Sequence, residues 1–350
     1  MPRPFPGQPV GVDPVLTADI DLLVRPGRMF LRPDDCAQSL HEQAGSEPGR
    51  ISKAIVAGPA RLSQVTRTAS ENSAGSLPLL LSVNQEGGRL NALDWPGVAQ
   101  LPGNLALGAA ANEDLAELAG ATIGEQLRAV GLTWNLAPVC DTAGWPAAAA
   151  VGARAFGSDP ERVGLLAAAF ARGVQRAGVA ATAKHFPGLG GIGGDPHHVA
   201  PVIDRLGPGA LLPFRAAIDA QAACVMVGSH TVLAVDNKPA LASPRMLGLL
   251  RDELGFAGVV VSENLSIPAV HEPLGGPAQA AVAAVAAGVD IVMLDSEVSR
   301  GRSSSAIRRC LGGGRLRGVA KTDRCPAEGP VVSVLVAAQL VVNNRMIYFG

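Results

Sequence analysis

The chain has 350 residues, of which 48% are hydrophobic and 17% charged. It is therefore apolar enough to bury a large core, which excludes an intrinsically disordered protein. Its 29 basic and 30 acidic side chains give a net charge of −1, so there is no electrostatic reason to expect a nucleic acid or an anionic membrane as a partner. Aromatic residues make up only 3%, whereas glycine occurs 42 times, and this composition predicts helices packed closely on a sheet.

Alternating strands and helices are predicted from about residue 52 onwards. Short runs of Val, Ile and Leu indicate strands, and apolar residues at 3.6-residue spacing indicate helices. In chain order these elements are strand 79–83, helix 112–130, strand 132–139, helix 160–176, strand 179–183, helix 209–220, strand 223–227, helix 244–254, strand 258–261, helix 279–287 and strand 289–294. Asn112 is the predicted cap of the first helix, and Pro160 opens the second.

This order of elements predicts the fold class. Repeated strand–helix units with nearly continuous apolar strands indicate a parallel sheet covered by helices. Six or more such units in this length favour a single-domain (β/α)8 barrel over an open doubly wound sheet. Two segments lack the pattern, so we predict an irregular N-terminal segment (1–50), a catalytic barrel (51–295) and a divergent C-terminal segment (296–350) that completes or flanks the barrel.

The cysteines and the two terminal segments indicate the cellular compartment in which the protein is expected. The five cysteines are odd in number and lack a Cys-x-x-Cys spacing, which disfavours a disulfide framework or zinc site and favours a reducing cytoplasm. No basic segment followed by an apolar one opens the chain, so no signal peptide is predicted. The apolar run 331–342 is shorter than the roughly 20 residues that a membrane span needs. We expect a soluble cytoplasmic protein, and the abundance of Ala, Gly and Arg is typical of a GC-rich bacterial genome.

Four polar and glycine-rich clusters follow the predicted strands, on the face where barrel enzymes place their chemistry. They are residues 84–89, 151–160, 184–190 with 195–198 after it, and 262–265. Any one of them is explained by a turn, and none has the spacing of a nucleotide-phosphate loop. Asp195, His197 and His198 lack the spacing of metal ligands. We therefore predict neither a cofactor nor a metal.

Taken together, the clusters supply the groups that a retaining glycosidase needs. Such an enzyme uses one carboxylate to attack the anomeric carbon and a proton donor to release the leaving oxygen. His197 suits the acid/base role near neutral pH if Asp195 orients its ring. Lys184, His185 and Arg154 have the donors and the reach to bind sugar hydroxyls. The clusters thus indicate a small-molecule saccharide or glycoconjugate as the partner.

The sequence from about residue 52 to 295 resembles glycoside hydrolase family 3, and within it the single-domain bacterial β-N-acetylhexosaminidases of the NagZ type. The family's KHFPG element is present unchanged at 184–188. Four further segments are similar to family motifs: LPLLLSVNQEGGRL (77–90), LTWNLAPVCD (132–141), ARAFGSDP (153–160) and VVVSENLSIPAV (259–270). The resemblance implies a (β/α)8 barrel that hydrolyses terminal N-acetylglucosamine from glycosides, often muropeptides in cell-wall recycling.

The resemblance also implies roles for single residues. It places the nucleophile at Glu263, the acid/base pair at Asp195 and His197, and a supporting sugar contact at Asn84. The family has Asp where this chain has Glu263 and Asn84, and Arg where it has Ala92. These departures leave three functions open: retaining hydrolysis of β-linked N-acetylhexosaminides or related amino sugars, acyl or glycosyl transfer in a biosynthetic pathway, and sugar binding without catalysis. Nothing in the sequence indicates an oligomeric state.

Overall fold

The computed structural model describes residues 57–72, 80–143, 151–190 and 200–294 and the backbone of 335–338. Strands and helices alternate along these residues. The strands are β1 (Ser82–Val83), β2 (Trp134–Asn135), β3 (Ala180–Phe186), β4 (Val202–Ile203), β5 (Cys224–Val227), β6 (Thr231–Val232), β7 (Val259–Asn264), β8 (Ile291–Leu294) and β9 (Leu335–Ala338). The helices are α1 (Pro59–Asn72), α2 (Asn104–Ala110), α3 (Glu113–Ala129), α4 (Pro160–Arg176), α5 (Leu212–Asp219), α6 (Pro244–Gly248, continued by a π-helical turn Leu249–Glu253), α7 (Pro268–His271) and α8 (Pro277–Ala287).

Seven strands form one parallel sheet in the order β1-β2-β3-β5-β7-β8-β9, while β4 and β6 pair separately. Neighbouring strands of the large sheet follow one another along the chain, as the predicted barrel requires. The β9 backbone pairs in parallel with β8, from Ile291 opposite Leu335 to Leu294 opposite Ala338. Part of the predicted C-terminal segment therefore adds a strand to the sheet. The division of the chain at residues 50 and 295 stays a prediction.

Local capping fixes where the two long helices begin. The Asn112 side chain accepts a hydrogen bond from the Leu115 N–H at the start of α3, and the Asp159 carboxylate accepts one from the Glu161 N–H at the start of α4. Both caps satisfy N–H groups that have no partner inside the helix. The predicted helix starts are confirmed. None of the helices in the described ranges combines the length and apolarity that a bilayer span requires.

The contact between α3 and α4 corrects the predicted buried face of α3. Apolar residues at 3.6-residue spacing, from Leu115 and Leu118 to Val130, predict one buried face for this helix, but Leu115 and Leu118 are 45% and 58% exposed. Gly120 packs against α4 instead, where an added Cβ would lie 2.2 Å from the Phe170 carbonyl oxygen. The two helix backbones approach so closely that only glycine fits at this position. The abundance of small residues therefore predicted the packing better than the leucine pattern did.

Both faces of the large sheet are buried, and successive residues of a strand pack on opposite faces. In β5, Val225 and Val227 join the hydrophobic cluster under the helices. Cys224 and Met226 of the same strand join a second cluster with Trp134 on the other face. Because apolar side chains fill both faces, polar side chains collect at the ends of the strands.

Candidate functional site

The candidate site lies along the carboxyl ends of the parallel strands, which we call the rim. Asn84 follows β1, Lys184 and His185 lie near the end of β3, and Glu263 lies near the end of β7. Because these strands run in parallel within one sheet, their carboxyl ends share one edge. Arg154 reaches the rim from the short 3-10 helix Gly152–Arg154 through its ion pair with Glu86. The rim thus brings together all five of these predicted site residues.

Two irregularities in strand pairing occur where the polar rim residues lie. Between β3 and β5, Ala183 pairs with Val225 but Phe186 pairs with Val227, so β3 carries one extra residue in the stretch that includes Lys184 and His185. Between β7 and β8, one extra residue falls at Ser262 or Glu263. Such bulges redirect side chains at the end of a strand. They account for consecutive polar residues on strands that are otherwise apolar.

Glu86 is the centre of a buried ion cluster. The Arg154 guanidinium donates to both carboxylate oxygens of Glu86, at 2.9 and 2.7 Å. The Lys184 ammonium lies 2.6 Å from Glu86 Oε1 and donates to Asn84 Oδ1 at 2.8 Å. Glu86 and Lys184 are only 2% and 1% exposed. The cluster fixes both cations at the rim, and the sequence analysis missed Glu86 although it lies in the quoted segment 77–90.

The charges of this cluster offset part or all of the cost of burying one another. Burial alone would raise the pKa of Glu86, but Arg154 and Lys184 outweigh it and lower the pKa to about 2. Burial also lowers the pKa of Lys184, against the opposing effect of Glu86. The pKa of Arg154 is raised, because the Glu86 charge outweighs the cost of burial.

The Glu86 pKa predicts acid sensitivity of the fold. Its folded value of about 2 lies below the ordinary 4.5, so Glu86 contributes stability that is complete above about pH 4.5 and is lost as the pH falls towards 2. The loss amounts to roughly 3 kcal/mol at pH 2 and to roughly 2 kcal/mol at pH 3. Asp141, whose pKa is also lowered, acts in the same direction. Urea unfolding at pH 7 and pH 3 measures the loss; equal midpoints at the two values would contradict it.

Asp141 and His185 form a second buried pair. Asp141 Oδ2 lies 2.7 Å from His185 Nδ1, and the carboxylate also accepts from the backbone N–H groups of His185 and Leu189, the latter at 2.8 Å. Burial raises the pKa of Asp141, but His185 and these backbone donors outweigh it and leave the pKa lowered. An ionised Asp141 requires the proton on Nδ1, so His185 Nε2 is the ring atom left for a ligand. Asp141 was also missed, although it ends the quoted segment 132–141.

Glu263 differs from the other two buried rim carboxylates in having few partners. Its side chain is 5% exposed, and Oε2 accepts a hydrogen bond from the Ser229 N–H at 2.9 Å. No lysine, arginine or histidine of the described residues forms an ion pair with it. Glu86 already forms ion pairs with two cations, and Asp141 already accepts hydrogen bonds from three donors. Among these three carboxylates, Glu263 is therefore the one available to react.

His230 is a rim residue that no sequence motif indicated. It lies in the segment between β5 and β6, three residues after the last residue of β5 and next to Ser229, and it is fully buried. Neither ring nitrogen has a hydrogen-bond partner among the described residues, and the Ser229 hydroxyl has none among them either. Burial lowers the pKa of His230 to about 4, while Asp141 and Glu263 oppose this effect. The ring is therefore neutral at pH 7 and lies within electrostatic reach of both carboxylates.

The predicted acid/base pair, Asp195 and His197, lies outside the described residues. Its position relative to Glu263 stays a prediction. Among the described residues, no group of three His, Cys, Asp or Glu side chains is placed to hold a metal ion.

The fold and the rim define a barrel enzyme that acts on a polar, hydroxyl-rich substrate, since cationic and amide donors surround an available carboxylate. The family described as the glycosyl hydrolase family 3 N terminal domain matches residues 55–317. The chain belongs to this family. The predicted family is thereby confirmed, and so, at the level of the family, is the prediction of a glycoside hydrolase.

Similar proteins and structures agree with this assignment. A Pseudomonas aeruginosa protein named beta-hexosaminidase is 38% identical over 279 residues, which cover 75% of this chain and 83% of the relative. A glycoside hydrolase family 3 β-N-acetylglucosaminidase structure from Paenibacillus matches with TM-score 0.72 and 30% identity, over 91% of this chain and 65% of that chain. A β-N-acetylhexosaminidase structure from Beutenbergia cavernae matches with TM-score 0.69 and 29% identity, over 83% and 95% of the two chains. The predicted (β/α)8 barrel is confirmed.

Proposed function

We propose that this protein hydrolyses β-linked N-acetylhexosaminides with retention at the anomeric carbon, in the bacterial cytoplasm. One observation carries the proposal: Glu263 is a buried rim carboxylate with one oxygen held by the Ser229 N–H and no ion pair to a cation among the described residues. The names of the relatives, beta-hexosaminidase and β-N-acetylglucosaminidase, support the substrate class. The two buried free cysteines, Cys140 and Cys224, are consistent with a reducing compartment.

In the first step, a carboxylate oxygen of Glu263 attacks the anomeric carbon. The bond from that carbon to the leaving oxygen breaks, and His197 gives its proton to the leaving oxygen, with Asp195 stabilising the charged ring. In the second step, water attacks the same carbon and loses a proton to His197, and Glu263 leaves as a carboxylate. Two inversions give net retention.

The remaining rim residues bind the sugar. His185 presents Nε2, because Asp141 holds Nδ1. Lys184 has three N–H donors, of which Asn84 and Glu86 take two, so the third is available to a hydroxyl. Arg154 keeps part of its side chain exposed while Glu86 fixes its direction. Fixed donors favour the distorted sugar of the transition state because they need no rearrangement during the reaction.

A panel of 4-nitrophenyl glycosides tests the proposal. Nitrophenol release is expected to be fastest from N-acetyl-β-glucosaminide and N-acetyl-β-galactosaminide, and slower from β-glucoside and β-xyloside. Proton NMR of the first product is expected to show the β-anomer. Inversion, or no release from any glycoside, would contradict retaining hydrolysis. Donor consumption only after an acceptor is added would instead identify a transferase, and thermal stabilisation by sugar without turnover would identify a binding protein.

Asp141→Asn is expected to lower kcat/KM on the glucosaminide by on the order of 10- to 100-fold. The amide turns an N–H towards His185 Nδ1 and moves the ring proton to Nε2, so Nε2 donates a hydrogen bond where the natural ring accepts one. Kinetics on the purified variant measure the loss. Asp290→Asn is the matched control, because Asp290 pairs with Arg251 and accepts the Val260 N–H at the opposite end of the sheet. Equal losses in both variants would remove Asp141 from the site.

A further inference from the structure

The segment that follows β5 connects two rim carboxylates. Its Ser229 N–H donates to Glu263 at 2.9 Å, and the next residue, His230, interacts electrostatically with both Glu263 and Asp141. The backbone of this segment is tied on both sides, since the Gly228 N–H donates to the Phe186 carbonyl and the His230 carbonyl accepts from the Ala240 N–H. The His230 side chain is therefore not needed to hold the backbone of the segment.

The His230 ring is buried beside Gly228. A Cβ added at Gly228 would lie 3.0 Å from His230 Nδ1 and 3.5 Å from the His185 Cβ, so the two histidine side chains flank this glycine. Within the part of the chain that the structure describes, neither ring nitrogen of His230 has a hydrogen-bond partner. A buried donor without an acceptor is costly, and a side chain that only filled space would be apolar. The ring therefore indicates a task that the fold alone does not explain.

The acceptor capacity of the two neighbouring carboxylates favours Glu263 as the partner. Asp141 already accepts from His185 Nδ1 and from two backbone N–H groups. Glu263 accepts from the Ser229 N–H and from no other donor among the described residues. An ionised carboxylate has about four acceptor positions, so about one remains on Asp141 and about three remain on Glu263.

We infer that His230 is a positioning residue for Glu263, whose carboxylate takes its second hydrogen bond from the His230 ring N–H in the working enzyme. The inference rests on the proposed role of Glu263 as nucleophile. A neutral ring donates one hydrogen bond without neutralising the carboxylate, so Glu263 keeps its charge for attack. With Oε2 held by Ser229, the second donor sets the rotation of the carboxylate and the direction of the attacking oxygen.

Two substitutions separate positioning from packing. His230→Phe removes both ring nitrogens, and with them the proposed hydrogen-bond donor. It is expected to lower kcat on 4-nitrophenyl N-acetyl-β-glucosaminide by on the order of 10- to 100-fold. KM should stay within about threefold, and Tm should be unchanged or higher. His230→Gln places an amide N–H near the position of Nε2 and is expected to recover most of kcat. A lower Tm in both variants with unchanged kcat would assign His230 to the core and overturn the inference.

A second measurement does not depend on activity. Histidine ring nitrogens are observed by 15N NMR at pH 7 in the full chain, and His230→Gln assigns the His230 signals. The ring N–H signal is expected to shift in Glu263→Leu, which removes the acceptor, and to stay in place in Glu272→Leu, an exposed glutamate. Identical His230 signals in the wild type and Glu263→Leu would overturn the inference. If the wild type hydrolyses no glycoside, the proposed function fails, and the NMR comparison still decides the role of His230.

Discussion

Glu263→Gln is expected to reduce hydrolysis of 4-nitrophenyl N-acetyl-β-glucosaminide by at least about 1,000-fold. A neutral amide does not form the glycosyl-enzyme ester, so the first step is lost. The amide oxygen still accepts the Ser229 N–H bond that Glu263 Oε2 accepts now. The fold and the sugar contacts that we propose for Lys184 and His185 should therefore persist.

Nitrophenol release and the Tm of the purified variant test this expectation together. Glu272→Gln is the control, because Glu272 is an exposed glutamate shortly after β7 and its loss should leave kcat unchanged. Residual activity above a few per cent in Glu263→Gln would mean that another carboxylate attacks the sugar.

Glu263→Asp tests whether the rim is built for the longer side chain. The substitution withdraws the carboxylate by about 1.5 Å, and an error of ~1 Å costs on the order of 100-fold in rate. A loss of this size would show that the bulge at Ser262 and Glu263 places the longer side chain correctly. Hydrolysis by the Asp variant alone would mean that the natural protein has left the family's reaction.

The barrel could be predicted because its signals are local. The helix 160–176 matches the structure residue for residue, since Asp159 caps it, Pro160 opens it and its apolar face repeats every turn. The strand predictions failed at their ends. β3 was predicted to end at 183 and β7 at 261, whereas they continue to Phe186 and Asn264. The apolar pattern that predicts a strand ends where the polar residues begin. The polar residues nevertheless continue the strand, because their side chains find buried polar partners at the rim.

The candidate site was predictable only in part, because a single sequence shows local patterns but not contacts between distant residues. Motif segments located Lys184 and Glu263 near strand ends, but three buried groups were missed: Glu86, Asp141 and His230. Each interacts with residues far away in sequence: Glu86 with Lys184, which is 98 positions further on, and Asp141 with His185, which is 44 positions further on. A single sequence contains no signal for such pairs, whereas a buried polar side chain in the structure requires that its partners be found.

Glu86→Gln is expected to destabilise the fold by about 3–5 kcal/mol, because it leaves the buried charge of Lys184 and the partly buried charge of Arg154 without their carboxylate. Glu117→Gln is the matched control, since Glu117 pairs with two arginines, Arg172 and Arg176, at partly exposed positions. Such surface pairs contribute about 0–1 kcal/mol. Urea midpoints at pH 7 measure both losses. Equal losses would show that the buried Glu86 cluster contributes no more to stability than the surface pairs of Glu117 do.

A double variant then separates the contribution of the Glu86 cluster to stability from its contribution to turnover. Lys184→Met added to Glu86→Gln removes the more deeply buried of the two uncompensated charges, so at least about half of the lost stability should return. Activity should not return, because the N–H donors of Lys184 are gone and Arg154 still lacks the carboxylate that fixes its direction. Recovery of stability without recovery of turnover would show that these buried cations serve the substrate at the expense of the fold. Recovery of both would assign Lys184 to the fold alone.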